Sequence, residues 1–290
     1  LGATGDLFVT GQFMGTVAFD GTELISQGGT QDMFIARLSA SDGSVVWAHQ
    51  GGSADGVDTP NDIAVGGDQM VVITGEFRGT GVFDAGTITS ITDPETMSPS
   101  VDIFVAAYNE DGDPLWLKHG SAEFADRGLT VVLDAVGNSY VSGQFSDTLT
   151  FDLTHNNAMY AAVFIVRFDP LGNESWFRIF GGGTYNQVGQ MILVGEDRLL
   201  LTGDVQGTVI YLDEEPDLFS AVAPRSSFLL EVDTAGTFLR QVTWGSENTL
   251  NTRSLSVHDD DVVVYGRFQC QFTGFKIGRA SCRERVFSSV

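Results

Sequence analysis

The residues with the clearest potential for chemistry are aspartates that recur at one position along the chain. Each follows an aromatic or aliphatic residue in a similar context, and they are Asp20, Asp84, Asp152 and Asp213. One carboxylate from each repeat could form a ring, and hard cations such as Ca²⁺ favour oxygen ligands. Aspartate also accepts hydrogen bonds from backbone amides in turns. We therefore predict a turn role for these residues and leave calcium binding as the alternative.

The histidines and the other carboxylates define no further site. His49, His119, His155 and His258 share neither a repeat position nor the spacing of metal ligands. Glycan-cleaving enzymes use a pair of carboxylates, but 38 acidic residues offer no means of choosing one pair. Gly181-Gly182-Gly183 precedes no helical pattern and so cannot hold a phosphate at a helix N-terminus. We assign no catalytic, cofactor-binding or metal-binding residue.

An internal repeat carries these residues. A Gly-x-Phe motif or a close variant recurs at intervals of roughly 60 to 70 residues, a period that marks a repeat architecture. Its glycines are Gly11, Gly75, Gly143, Gly203 and Gly266. We place the repeats at about 1–58, 59–124, 125–186 and 187–249, with a partial repeat at 250–275.

The segments within each repeat have the composition of β-strands. Short apolar runs rich in Val, Ile, Phe and Thr are bounded by Gly, Asp and Asn. The runs Met70–Ile73, Leu199–Leu201 and Val262–Val264 are apolar at every position, which predicts sheets covered on both faces. Asp42-Gly43 and Asp111-Gly112 indicate hairpin turns. We predict an all-β fold, a β-propeller of about four four-stranded blades and a partial blade that forms an arc of a larger propeller.

A tryptophan also recurs, four residues after a turn glycine. Trp47, Trp116 and Trp176 occupy this position, and the fourth repeat has Arg240 instead. A residue that recurs from repeat to repeat is usually architectural, whereas a catalytic group should occur once. We therefore predict that these tryptophans pack one blade against the next.

The order Gly-x-Phe, Phe-Asp, Asp-Met-Phe, Asp-Gly-x-x-x-Trp and Gly-Gly resembles the SBBP repeats of bacterial β-propeller proteins. The resemblance covers about 1–268 and is best from Asp6 to Gly52. It implies a propeller at the bacterial surface or outside the cell, and no established activity. The segment Asp42–Trp47 is also similar to the tryptophan-docking motif of quinoprotein dehydrogenases, which bind pyrroloquinoline quinone with calcium. However, the chain has no vicinal cysteine pair, and its period is longer than expected there.

The last residues differ from the rest of the chain. The segment from Lys276 to Val286 is basic, ends the repeat abruptly and resembles a sequencing adapter in translation. We predict that native sequence ends near Phe275 and that 276–290 is a disordered, non-native tail; a basic tail that binds a partner is the alternative. Cys282 lies in this tail, which leaves Cys270 without a disulfide partner. Because the chain begins and stops inside a repeat, we expect the fragment to fray or aggregate at its ends.

The charge balance narrows the choice of partners. A formal net charge of −23 repels nucleic acid and anionic lipid, and no apolar run reaches the length of about 18 residues that predicts a membrane helix. The loops that differ between repeats are Thr92–Ser100, His155–Asn157 and Glu214–Asp217; such loops often bind ligands, although surface loops also drift neutrally. We predict a non-catalytic extracellular or cell-surface scaffold that binds a protein or glycan. The alternatives are a propeller enzyme, quinoprotein-like or glycan-cleaving, and a purely structural spacer.

Overall fold

The computed structural model describes residues 2, 5–66, 70–156, 162–181, 185–206, 210–211, 225–246, 250–258 and 261–268. Every regular element in these ranges is a β-strand, and none of these residues lies in a helix. The prediction of an all-β fold is confirmed. β-Branched and aromatic side chains favour extended backbone because they pack well on a pleated surface, and the frequent Gly, Asp and Asn residues end each run.

The same succession of strands recurs: a first strand, a second strand, a short hairpin, a third strand and a fourth strand. The first repeat contains, from its second strand onward, β1 (Leu7–Phe13), β2 (Thr16–Phe19), β3 (Thr22–Ile25), β4 (Asp32–Leu38) and β5 (Val45–Ser53). The second contains β6 (Thr59–Val65), β7 (Val71–Arg78), β8 (Thr80–Phe83), β9 (Gly86–Thr89), β10 (Val101–Tyr108) and β11 (Pro114–Gly120). The third contains β12 (Arg127–Leu133), β13 (Ser139–Phe145), β14 (Thr148–Thr150), β15 (Thr154–Asn156), β16 (Ala162–Phe168) and β17 (Glu174–Gly181). The strands that follow are β18 (Tyr185–Val194), β19 (Arg198–Gln206), β20 (Ile210–Tyr211), β21 (Arg225–Asp233), β22 (Phe238–Ser246), β23 (Leu250–His258) and β24 (Asp261–Phe268).

The long strands of one repeat form an antiparallel sheet. The second, third and fourth sheets have the orders β6-β7-β10-β11, β12-β13-β16-β17 and β18-β19-β21-β22. The first sheet contains β1-β4-β5, and β23 pairs with β24. A short strand of one repeat also joins the fourth strand of the previous sheet: Val82 of β8 pairs with Gly52 of β5, and Tyr211 of β20 pairs with Phe180 of β17. The backbone therefore links neighbouring sheets.

The turns between third and fourth strands share a glycine with a left-handed φ. In the second repeat the Gly112 N–H donates to Asn109 O at 3.1 Å, and Gly112 has a φ of +90°. Glycine adopts this left-handed conformation at little cost. The hairpins predicted at Asp42-Gly43 and Asp111-Gly112 are confirmed. The fourth repeat lacks the Asp-Gly pair but keeps the turn, with Gly236 at a φ of +88°.

Consecutive sheets pack face to face, and the core lies between them. The first strands lie side by side, β6 against β12, β12 against β18 and β18 against β23. Between the second and third sheets, Val105, Phe164 and Val166 belong to one fully buried cluster. Val71 to Ile73 are fully buried as well, and Leu199 to Leu201 are at most 4% exposed. The prediction that these two runs are covered on both faces is confirmed.

The same prediction is wrong for the third run. Val263 is 45% exposed and its neighbour Tyr265 is 63% exposed. The equivalent residues of β7, Val72 and Thr74, are fully buried because β12 of the next repeat packs against β7. The described residues place no further sheet on β24. An apolar run thus indicates a side chain suited to burial, but the cover itself comes from a neighbouring sheet.

Candidate functional site

The recurring tryptophans lie at the boundaries between repeats. Each donates its indole N–H to a backbone carbonyl in the turn of the next repeat. The pairs are Trp47 with Glu110 O (2.9 Å), Trp116 with Pro170 O (3.2 Å) and Trp176 with Thr234 O (3.1 Å). The ring also lies over the turn glycine, since a Cβ added to Gly172 would stand 2.8 Å from the ring of Trp116. The prediction that these residues pack one repeat against the next is confirmed.

The glycine of the Gly-x-Phe motif also occupies a close contact. A Cβ at Gly143 would stand 1.9 Å from Arg127 O of the first strand and 2.9 Å from the ring of Phe164. Gly75 and Gly203 face the same two groups in their own repeats. The motif therefore requires glycine because the first strand and the aromatic ring leave no room for a side chain.

The middle residue of the Gly-x-Phe motif reaches across to the next repeat. In four successive repeats it is polar, and it contacts the beginning of the following first strand. The contacts are Gln12 with Asp58 O (3.0 Å), Glu76 with Arg127 Nε (2.7 Å), Gln144 with Asn186 O, and Asp204 with Thr252 N (3.0 Å). These side chains hold one sheet to the next, so their recurrence reflects assembly of the repeats.

A second row of hydrogen bonds joins the first strands. Asp62 Oδ2 on β6 accepts from Thr130 Oγ1 and from Val131 N on β12, both at 2.9 Å. Two boundaries further along, Gln190 Oε1 on β18 accepts from Leu255 N on β23 at 2.9 Å. Burial raises the pKa of Asp62, and its hydrogen bonds to β12 oppose that rise. This row again uses polar side chains for contacts between repeats.

The aspartates considered for a calcium ring are held by neighbouring elements. Asp20 has a left-handed φ of +45° in the turn of the first hairpin and accepts the Val45 N–H at 2.8 Å, so its predicted turn role is confirmed. Asp152 makes the equivalent bond, accepting the Glu174 N–H at 3.1 Å. Two members also form ion pairs across a repeat boundary, Asp84 with His49 (2.7 Å) and Asp152 with Lys118 (2.8 Å). Asp213 lies outside the described residues. The part of the chain that the structure describes contains no group of three or more His, Cys, Asp or Glu side chains placed to hold a metal ion, and calcium binding stays a prediction.

Three histidines each pair with one carboxylate, and the pairs lie in different places. They are His49 with Asp84 (2.7 Å), His119 with Asp102 (2.7 Å) and His155 with Glu174 (2.5 Å). His155 also stacks on Phe177, with ring centroids 3.8 Å apart. Because the fold does not bring these three histidines together, they form neither a shared metal site nor a catalytic cluster.

The sequence analysis missed a set of buried carboxyls. Asp32 and Asp102 stand two residues before the third-strand phenylalanine, Asp58 and Asp126 stand just before β6 and β12, and all four are fully buried. Burial raises the pKa of Asp58 to about 6 and that of Asp126 to about 9. Burial also raises the pKa of Asp204 to about 6. Aligning the repeats would have found the first four, because each pair of aspartates occupies equivalent positions.

The loop that distinguishes the second repeat, Thr92–Ser100, is an ordered projection. A bridge between Thr92 and Pro99 closes it. Met97 near its tip is 77% exposed and has a φ of +55°. The N–H groups of Thr96 and Glu95 lower the pKa of Asp93, and the nearby charge of Arg78 adds to that effect.

An open depression lies at the foot of this loop. Its lining includes both signs of charge together with apolar and small residues, and consists of Asp55, Gly56, Val57, Thr59, Glu76, Arg78 and Val101. Val101 follows the loop directly, and Arg78 is the cation near Asp93. The loop and the depression are therefore one continuous surface, which we name the loop–depression surface.

Other features chosen in the sequence lie outside the described residues. They are Asn157, Gly182, Gly183, Glu214–Asp217, Cys270, Cys282 and the tail 276–290. His155 and Asn156 belong to the short strand β15. For these segments the functional interpretation rests on sequence alone.

The described geometry defines an all-β protein built from repeated antiparallel sheets. No protein-family model matches the chain, and no curated protein is significantly similar to it. No helix capable of crossing a membrane occurs among the residues that the structure describes. Its function is therefore argued from the site itself.

Proposed function

We propose that the chain is an arc of a β-propeller of the SBBP type. Sheets that pack face to face with their first strands side by side have the arrangement of propeller blades. The short strand that joins the fourth strand of the previous sheet supports the same arrangement, because it places successive sheets in direct contact. The motif order that resembles SBBP repeats adds to this proposal.

Within that architecture we infer a non-catalytic scaffold, extracellular or at the bacterial cell surface, that binds a protein or glycan. One observation carries the inference: the recurring polar and aromatic residues are occupied in contacts between repeats. Glu76 binds Arg127, Asp84 binds His49, and Trp116 binds the next turn. Residues used for assembly are poor candidates for catalysis. The candidates for a functional site are therefore the features that occur only once.

The loop–depression surface is the binding region that we propose. The loop is held in one shape by its own hydrogen bonds, so little conformational entropy is lost when a ligand binds. Asp55 and Arg78 offer an acceptor and a donor of opposite charge, and Met97 and Val101 offer apolar contact. A polar ligand with some apolar surface, such as an oligosaccharide or an extended peptide, fits this combination.

A loop replacement tests the proposal, and the first repeat supplies its design. Ile91 N–H donates to Asp102 Oδ2 at 3.0 Å, as Gln27 N–H donates to Asp32 Oδ2 at 2.9 Å. Replacing Thr92–Pro99 by Gly-Gly reproduces the connection through Gly28 and Gly29 that follows Gln27 in the first repeat. We expect the melting temperature to stay nearly unchanged and Kd to weaken by about tenfold or more for a ligand found on glycan and peptide arrays.

Assays on the wild type and the loop variant distinguish the scaffold from the alternative functions. Equal binding by the wild type and the loop variant would place the ligand elsewhere on the surface. Turnover of an arrayed glycan would show that the protein is a glycan-cleaving enzyme and would overturn the proposal of a non-catalytic scaffold. A new absorbance after addition of pyrroloquinoline quinone and calcium would favour the quinoprotein-like enzyme, whose similarity to Asp42–Trp47 motivates the assay.

Calcium binding is a separate proposal with a direct measurement. If carboxylates such as Asp20, Asp84 and Asp152 contribute to a bound Ca²⁺, millimolar calcium should raise the melting temperature, and EDTA should reverse the rise. Magnesium is the matched control because it demands a smaller and more rigid site. An unchanged melting temperature in calcium would leave these aspartates with structural roles alone.

A further inference from the structure

Two buried aspartates lie on neighbouring segments at the boundary between the second and third repeats. Asp102 lies on β10, Asp126 precedes β12, and the backbone N–H of Asp126 donates to Val101 O at 2.8 Å. Both side chains are fully buried. Asp102 Oδ2 accepts the Ile91 N–H at 3.0 Å and is hydrogen-bonded to His119 Nε2 at 2.7 Å. Asp126 Oδ1 accepts the Ser146 N–H at 3.1 Å. Among the described residues, Asp102 Oδ1 and Asp126 Oδ2 have no hydrogen-bond partner.

A single proton between these two oxygens would satisfy both of them. A buried polar atom without a hydrogen bond is costly, and two like charges in one buried place are costlier still. We propose that Asp126 and Asp102 share a proton at neutral pH, with Asp126 Oδ2–H donating to Asp102 Oδ1. This pH-sensitive hydrogen bond stabilises the boundary between the second and third repeats. Loss of the proton leaves two buried negative charges facing each other and weakens the boundary.

A comparison with the boundary between the first and second repeats explains why Asp126, and not Asp58, holds the proton. Asp32 and Asp58 occupy the equivalent positions between the first and second repeats and are also fully buried. There each carboxylate oxygen of Asp58 accepts a backbone N–H, from Ser53 at 2.6 Å and from Arg78 at 3.0 Å. Asp126 Oδ2, in contrast, has no hydrogen-bond partner among the described residues. The carboxylate form is therefore better supported at Asp58 than at Asp126.

The surroundings of Asp126 determine the pH range over which the proton stabilises the folded state. Burial, followed by the negative charge of Asp102, raises the pKa of Asp126 to about 9, against about 4 in an unfolded chain. The charged or titratable groups that face it are Asp102 on β10 and, bonded to Asp102, His119 on β11. Because the folded state binds this proton more tightly than the unfolded state, the stabilisation is complete below about pH 4 and is lost as the pH rises through about 9.

The substitution Asp126→Asn tests the proposed hydrogen bond and keeps a side chain of the same shape. The amide can accept from Ser146 N and donate to Asp102 Oδ1, and Asn186 is the residue that the chain itself carries at the equivalent position of the fourth repeat. We expect the variant to be no less stable than the wild type at pH 7. Its melting temperature should fall less steeply than that of the wild type between about pH 5 and 10, measured in EDTA.

Infrared difference spectroscopy detects the proton directly. The wild type should show the carbonyl stretch of a buried protonated carboxyl at neutral pH, and Asp126→Asn should lack it. Equal pH slopes in the two proteins, or absence of this band from the wild type, would overturn the proposal. A calcium-dependent rise of melting temperature in the wild type that the variant lacks would also overturn it, because a cation would then occupy the place of the proton.

Discussion

Replacing Gly143 with alanine should lower the free energy of unfolding by about 3 kcal/mol or more, at the upper end of the range for overpacked sites. The new Cβ would stand 1.9 Å from Arg127 O and 2.9 Å from the ring of Phe164. The first contact is with backbone, which cannot rotate away. Strand β12 would have to shift from β13 near Gly128, where the pairing already changes register. Urea unfolding followed by circular dichroism measures the loss.

Gly11→Ala is the matched control for this substitution. Gly11 has the same position in the motif of the first repeat, but the three atoms nearest to an added Cβ all belong to the ring of Phe34, the closest at 2.9 Å. A ring can move by a few tenths of an ångström more easily than a strand. We therefore expect a clearly smaller loss. Equal losses in the two variants would show that the aromatic ring, and not the backbone carbonyl, imposes glycine at this position.

Replacing Trp116 with alanine should cost about 3–5 kcal/mol, as is usual for a large buried aromatic side chain. Trp116 is 9% exposed, lies against the turn at Gly172 and has the ring of Phe168 at a centroid distance of 5.8 Å. Its removal opens a cavity between the second and third repeats. Because a repeat unit gains much of its stability from its neighbours, we also expect the unfolding transition to broaden or divide in calorimetry.

Trp116→Phe separates the packing from the hydrogen bond. Phenylalanine retains an aromatic ring at the boundary and loses the indole N–H that donates to Pro170 O at 3.2 Å. A hydrogen bond of this kind contributes about 1 kcal/mol, so the loss should be well below that of Trp116→Ala. A cost of less than about 1 kcal/mol for Trp116→Ala itself would contradict the role of this tryptophan as an anchor between repeats.

The strands and the turns could be predicted because their causes are local. Runs of β-branched and aromatic residues form strands wherever they occur, and Gly112 forms its turn through its own left-handed φ. Recurrence then identified Trp47 and Trp116 as architectural before any contact was known. The same local reasoning was wrong at Val263, because burial of that side chain depends on a neighbouring sheet.

Only the tertiary structure decided which side chains meet. Asp152 accepts a backbone N–H as Asp20 does, but Asp84 and Asp152 also bind His49 and Lys118 of the previous repeat. The buried pair Asp102 and Asp126 comes from the third strand of one repeat and the beginning of the next. Periodicity determines the composition of each unit, but it does not specify how units stack. Contacts between distant residues depend on that stacking, and the pKa of a carboxyl depends on the burial that stacking creates.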